Sequence, residues 1–320
     1  MFRIDDVTAS SSMPAPDAAG TEGYFTGGDP ANGTPATRVR YWWLNMIQEE
    51  LCSILAAAGI VRSKTSVRQV NSALQKMYAP VIGSARNASM LVSAASATAT
   101  FTADQIVVGA ALNGQTYVLP SFSKSINLGS VGAGGMDTGS APTSGYVALY
   151  AICNPVTGAT ALLATDATSS VAPSVYGGAN MPSGYTASAL VSVWPTNASK
   201  QFGIGLQKDR SIAFPPVSVL NTSTQAASPT ALSIAGAVPP NATSVTGNML
   251  VQSSATTQIV GTIAASVSGI DGATFSNAAS NVFIYNPFTV LINAQQTIFR
   301  TATIGSGTLL NQATVVKYTF

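Results

Sequence analysis

Charge is what this chain has least of. Charged residues make up 8% of its 320 positions, against roughly 25% in ordinary soluble domains. Glutamate stops at Glu50 and histidine is absent. A lone globular protein keeps a charged coat for solubility, so Ser, Thr, Asn, Gln and Ala must cover much of this surface. That much small, uncharged surface favours self-association. Without histidine, the usual general base, the His-based triads and the commonest metal ligand all drop out. A net charge of +2 with no Lys/Arg run leaves no electrostatic footprint for nucleic acid. No segment approaches the ~20 apolar residues of a membrane span, so membrane insertion is not expected. The start, Met1-Phe2-Arg3-Ile4-Asp5-Asp6, has no apolar stretch behind a basic end, and a secretory signal is not expected either. Two cysteines, Cys52 and Cys153, are too few and too far apart for a disulfide framework or a structural zinc site. Each is expected to be a small buried hydrophobe.

Enzymatic chemistry is equally thin. Glycan cleavage needs two carboxyl groups about 5 to 9.5 Å apart. Beyond residue 86 the chain offers Asp104, Asp137, Asp166, Asp209 and Asp271, scattered and often in turn-like contexts. Val131-Gly132-Ala133-Gly134-Gly135 resembles a phosphate-binding loop only loosely and joins no strand to a helix, so it reads as a flexible loop. No catalytic residue, metal or cofactor is expected.

What is present falls into zones. Residues 1–36 are rich in Pro, Gly, Ala and small polar residues, with Phe2, Ile4, Tyr24 and Phe25 as spaced anchors. This pattern predicts an extended arm that orders against a partner. Residues 37–58 carry helical spacing through Val39, Trp43, Met46, Ile47, Leu51, Ile54, Leu55 and Ala58. Thr37 is the expected N-cap and Gly59 the left-handed stop. A second helix is expected over 65–78, with Val67, Val70, Leu74 and Met77 at three-four spacing. These positions suit either a seam between chains or a hairpin within one. Val39, Trp43, Met46, Ile47, Ile54, Val67 and Leu74 are the candidate subunit interface.

After Arg86 the signal is β. Short β-branched and aromatic runs are separated by Gly, Pro and Asn, such as Gln105–Val108, Gln115–Leu119 and Tyr146–Ile152. Asn113-Gly114 is a two-residue hairpin signal. Asn154-Pro155-Val156-Thr157-Gly158 turns the chain between 148–153 and 160–164. Beyond a break near 223–229, further strands are expected at 244–252, 258–265, 281–285, 289–293, 297–304 and 313–320. No repeat of solenoid type is present. Among the aromatics, Tyr176, Tyr185 and Trp194 lie in or beside Gly/Pro-rich stretches. They are candidate surface receptor contacts, with core packing as the competing role. The runs 283–288 and 318–320 read as core.

Several stretches carry a resemblance. Met1-Phe2-Arg3-Ile4-Asp5, Met13-Pro14-Ala15-Pro16, Gly20-Thr21-Glu22-Gly23-Tyr24-Phe25, Gly33-Thr34-Pro35-Ala36-Thr37, Trp43-Leu44-Asn45, Gln48-Glu49-Glu50-Leu51 and Ala57-Ala58-Gly59-Ile60 resemble the N-terminal region of bacteriophage and R-type pyocin tail fibres. Tyr146–Ala159 with Val171-Ala172-Pro173 and Met181–Thr186 is similar to a module of phage tail proteins. The last ninety or so residues, with Val238-Pro239-Pro240-Asn241-Ala242 and Val245-Thr246-Gly247, look like a distal β-domain of such fibres. The resemblance implies a homotrimer in a virion tail, made in the host cytoplasm and acting outside the cell. Residues 1–36 would mount on tail or baseplate proteins through Phe2, Ile4, Tyr24 and Phe25. The distal parts would meet a bacterial surface glycan such as lipopolysaccharide, or an outer-membrane receptor. The fold expected is mainly β: the arm (1–36), a short helical segment (37–85) and two antiparallel β-sandwich-like domains (86–225 and 226–320). Two rival functions remain, a surface-polysaccharide depolymerase tailspike and a structural tail-tip or baseplate adaptor.

Overall fold

A computed structural model describes residues 2–78, 80–112 and 114–320. The chain divides into two compact units, one holding the residues before Pro80 and the other nearly all the rest.

In the first unit the arm is extended, interrupted by one 3-10 turn at Pro30–Asn32. Helix α1 spans Tyr41–Ala57 and α2 spans Gln69–Met77. Thr37 is not the cap of α1. Arg40 takes that position in extended conformation with no side-chain cap bond. Thr37 is used elsewhere: its hydroxyl accepts from Thr26 N and its own N–H donates to Thr26 O, both at 3.0 Å. Gly59 does end α1, at φ +65°. Its N–H reaches Ala56 O, while the Ile60 N–H reaches Leu55 O. This is the paired bond pattern of a Schellman cap, and Ile60 packs back on Leu55 as such caps do. The helices meet within the chain through Leu55, Ala58 and Ala73, flanked by Ile54, Ile60 and Val70. Gln69 ties the connecting segment down by accepting from Ser63 N and donating to Val61 O.

The second unit is all β and has sixteen strands. Strands β1 (Ala85–Arg86), β2 (Ser89–Val92), β3 (Thr98–Gly109) and β4 (Thr116–Asn127) come first. Then follow β5 (Tyr146–Cys153), β6 (Thr160–Asp166), β7 (Ala187–Pro195), β8 (Gly205–Lys208) and β9 (Ser211–Thr222). The last part holds β10 (Ala226–Ser233), β11 (Ser244–Ser253), β12 (Ile259–Ala264) and β13 (Ala273–Asn277). It ends with β14 (Tyr285–Leu291), β15 (Thr297–Ile304) and β16 (Leu309–Thr319). They form a twelve-stranded sheet, β14-β11-β16-β9-β8-β2-β3-β7-β5-β6 with β1 and β4 attached to β3, and a four-stranded sheet, β10-β15-β12-β13. All the strand pairings are antiparallel.

The expected border at 225–226 falls where the chain passes from β9 in the large sheet to β10 in the small one. The chain then returns to the large sheet with β11, β14 and β16. The two sheets face each other across one apolar core. At Gly261 of β12 the small sheet comes close to β11 of the large one, since a Cβ there would lie 2.4 Å from Val251 Cγ2. β5 is buried along its whole length and β7 along all but its last residue, as strands covered on both faces are. β3 starts with strict alternation, Ala99, Phe101 and Ala103 inward and the threonines outward.

Turn chemistry explains the best-defined hairpin. The Asn154 carboxamide accepts from Val156 N and Thr157 N, and Gly158 sits at φ +74° between β5 and β6. Asn113 of the other expected turn lies outside the described residues; on either side Gly109 of β3 stands opposite Thr116 of β4. Two expectations fail. Strand β14 starts at Tyr285, so 281–284 is not strand. The glycine-rich stretch 131–135 is pinned rather than loose: Gly134 N donates to Leu162 O at 2.7 Å and Asn127 N to Gly134 O at 2.8 Å. It thus bridges β4 and β6, with Met136 buried behind it.

Candidate functional site

The first unit presents an arm laid along α1 by polar contacts. Arg3 makes a two-pronged bond to the Glu49 carboxylate. Gln48 accepts from Ile4 N at 2.7 Å, and Lys64 pairs with Asp5 at 2.6 Å. Further along, Tyr41 Oη donates to Ala15 O at 2.8 Å and Trp42 Nε1 donates to Asp17 at 3.2 Å. These hydrogen bonds hold the Glu49 and Asp5 carboxyls below the usual carboxylate range, Arg3 acting on the first and Lys64 on the second. None of these contacts is buried, and exposed pairs of this kind contribute little to stability.

A loop then turns the arm back on the helix. Asp29 and Thr34 exchange both backbone bonds, and Gly28 at φ +73° packs too tightly on residues 34–36 to admit a Cβ. Phe25 is brought edge-on to Trp43, with ring centroids 5.0 Å apart. The result is a hollow of about 540 Å³ lined by Tyr24, Phe25, Trp42 and Trp43 with Arg38 and Arg40 at its margin. Neither arginine has an ion-pair partner among the described residues.

All four candidate docking residues, Phe2, Ile4, Tyr24 and Phe25, are exposed, Tyr24 at 98%. Of the candidate interface residues, Val39, Met46, Ile47 and Leu74 are also exposed, while Trp43 and Ile54 are half-buried. Val67 departs from its expected place. It precedes α2 and is 95% exposed, so it belongs to no helical seam in this chain.

In the second unit the three candidate receptor aromatics part company. Trp194 is not a surface residue. It is 0% exposed on β7, and its indole Nε1 donates to Gly203 O at 2.9 Å, which satisfies its one polar atom within the core. Tyr176 and Tyr185 are half-buried against the core margin. Tyr176 stands edge-on to Tyr150, donates to Asp137 Oδ2 at 3.0 Å and accepts from Asn180 N at 3.1 Å. Burial first, and the Asp137 contact after it, push the Tyr176 phenol above its ordinary range, so it stays a donor. The residues Phe283, Ile284 and Tyr285, expected as core, are exposed, whereas Phe288 is buried. Phe283 and Ile284 precede β14, and within β14 the alternation turns Phe288 to the core and Tyr285 away from it.

The carboxylates of the β unit are each engaged in local structure. Asp104 accepts from Asn87, Asp166 from Thr168 N, Asp209 from Ala88 N and Asp271 from Leu291 N. Asp137 takes Thr138 N as well as Tyr176. Cys52 and Cys153 are both buried and unpaired.

No protein-family model matches the chain. Among solved structures, the insecticidal delta-endotoxin Cry8Ea1 of Bacillus thuringiensis is 9% identical over 74% of this chain and 54% of that one, with a TM-score of 0.19. At that score the two backbones do not superpose as one fold. In sequence, the chain is similar over 77 residues, at 40% identity, to the uncharacterized protein StfP of Escherichia coli strain K12. That match covers 24% of this chain and 35% of StfP, so the kinship is local and spans about a third of the relative's length.

Proposed function

We propose that this chain is a homotrimeric tail-fibre protein of the bacteriophage or R-type pyocin kind. It would join a particle's tail to a bacterial surface without catalysis. The observation that carries the reading is the state of the first unit. Its arm and α1 hold Phe2, Ile4, Tyr24, Phe25, Tyr41, Leu44 and Met46 in water, and among the described residues of the unit only Cys52, Leu55, Ala58, Gln69 and Ala73 are buried. Apolar surface of this extent marks an interaction site. Two coverings suit it: copies of the chain against α1, and a tail or baseplate protein against the arm. The tail-fibre resemblance of the same stretch supports that division. The β unit, with one continuous core and a neutral exterior, suits the outward role. The committed state of its five carboxylates favours binding over glycan hydrolysis.

The test is the native mass of the purified protein, measured again after deletion of residues 1–36. A trimer that survives the deletion supports assembly through the helices and β unit with the arm left for docking. A stable monomer would overturn the fibre geometry in favour of a tail-tip adaptor.

A further inference from the structure

Strands β4 and β6 do not pair with each other, yet one residue joins them. Asn127 N at the end of β4 donates to Gly134 O at 2.8 Å, and Gly134 N donates to Leu162 O of β6 at 2.7 Å. Neighbouring strands lie about 4.8 Å apart, so a single residue bonded to both banks makes the seam between β4 and β6 one strand wide there. Residues 134–137 stay in the seam beside β6: Ala164 N donates to Gly135 O, and Asp137 N to Ala164 O. Towards lower numbers on both strands the seam opens into a hollow of about 390 Å³. Every residue from Tyr117 to Lys124 lines one bank, and Cys153, Pro155, Gly158 and Thr160 line the other. A groove over a face of β4 would take alternate residues; a consecutive run is the lining of a strand's edge.

Both banks carry open main-chain groups. Among the strands, β4 pairs with β3 alone and β6 with β5 alone. Main-chain groups alternate sides along a strand. Ser123 and Ser125 therefore turn theirs the way Asn127 does, and Thr160 the way Leu162 does. Among the described residues, the main-chain groups of Ser123, Ser125 and Thr160 meet no main-chain partner across the seam.

Lys124 stands at the same hollow. It lies opposite the fully buried Phe101, so it is on the core side of the sheet. It is half-buried and has no ion-pair partner among the described residues. Ser121, at φ +49°, breaks the register of β4 against β3 a few residues away. An inward-pointing lysine and an irregular edge are barriers to indiscriminate strand pairing. The barrier is selective, because a strand that brings a carboxylate beside Lys124 turns it into an attraction.

We propose that this seam takes up a short, extended, acidic segment of another polypeptide as an added strand. Main-chain bonds to both banks would hold it over the few rungs between Ser121 and the Gly134 bridge. Its carboxylate would pair with Lys124. The site is independent of the attachment reading, since it belongs to the β unit whether or not the chain adheres to cells.

The probes are three fluorescent octapeptides added to the full-length protein. One alternates Thr and Val around a central Asp, the second has Lys for Asp, and the third is the Asp peptide N-methylated at alternate amides. The Asp peptide should bind, and more weakly at high salt. The Lys peptide should bind about tenfold less well, and the N-methylated one should not bind. Lys124→Glu should reverse the preference between Asp and Lys. In the wild type, amide hydrogen exchange should slow at Ser123, Ser125, Thr160 and Leu162 when the Asp peptide is added, which locates the peptide without any variant. No binding of the Asp peptide, equal binding of the Asp and Lys peptides, full binding of the N-methylated peptide, an unchanged preference in Lys124→Glu, or protection at other amides instead would each overturn the proposal. So would slow exchange at those four amides before any peptide is added, since the edge would then already be paired between copies of the chain.

Discussion

The two units of this chain are built on opposite economies of surface. The residues before Pro80 hold fourteen of the charged side chains in about a quarter of the chain; the remaining three quarters hold twelve. Yet the charged unit is the one with almost no interior. Its arm is fastened by exposed ion pairs and single hydrogen bonds, while the β unit is fastened by apolar burial in one continuous cluster. Burial contributes roughly 25 cal/mol per Å² removed from water; exposed pairs contribute little and weaken with salt. The contacts of the first unit are therefore weakly held, and those of the second are not.

Three measurements can break or sharpen that contrast. The largest effect belongs to Trp194. Trp194→Ala empties the middle of the core and strands the Gly203 carbonyl, so thermal unfolding should show a loss of about 3–5 kcal/mol; Trp42→Ala in the arm unit should leave the β transition where it was. If both substitutions act alike on that transition, the units are not energetically distinct. A smaller effect of opposite sign is expected at Asn311. Its side chain is fully buried between the sheets, and neither amide atom has a protein partner. Asn311→Leu, of similar size, should raise stability by about 1–2 kcal/mol in chemical denaturation; a loss would mean that the amide is satisfied in solution. The smallest effect is the arm's response to acid. The Asp5 and Glu49 carboxyls titrate below their free values while latched to Lys64 and Arg3. The latch is thus at full strength above the ordinary carboxylate range and is lost as pH falls through those depressed values. Limited proteolysis of the arm should speed up in acid and at high salt. Cleavage of the double variant Arg3→Ala/Lys64→Ala, which lacks both pairs, should be fast at every pH, and equal rates in it and the wild type would remove the ion pairs from the account.

Local chemistry was legible where it was self-contained. The β5–β6 hairpin is written in Asn154 and Gly158, and the end of α1 in Gly59. The mainly β character and both helices follow from periodicity alone. The last segment is a strand as expected, but its alternation over 315–320 breaks at a register shift between Val315 and Lys317, which turns both Val315 and Tyr318 inward. Strands with breakers inside them did not read. β9 contains Pro215-Pro216, and its register against β16 shifts around that pair, the bulge position where proline is tolerated in a sheet. The candidate sites divided in the same way. Tyr176 and Tyr185 border open loops as their Gly/Pro-rich surroundings suggest, but Trp194 shares that context and is core.

Sequence by itself thus determined the two helices, many of the strands, some of the tight turns, and that charge is concentrated before the β region. Those properties depend on backbone preferences and on side-chain period over a few residues. Only the tertiary structure decided that 226–320 supplies strands to two sheets and that Trp194 is covered. It also decided that β4 and β6 face each other across a seam bridged by Gly134. Each of these depends on which distant strands pair and in what register, and a register shift of one residue would turn every side chain to the other face.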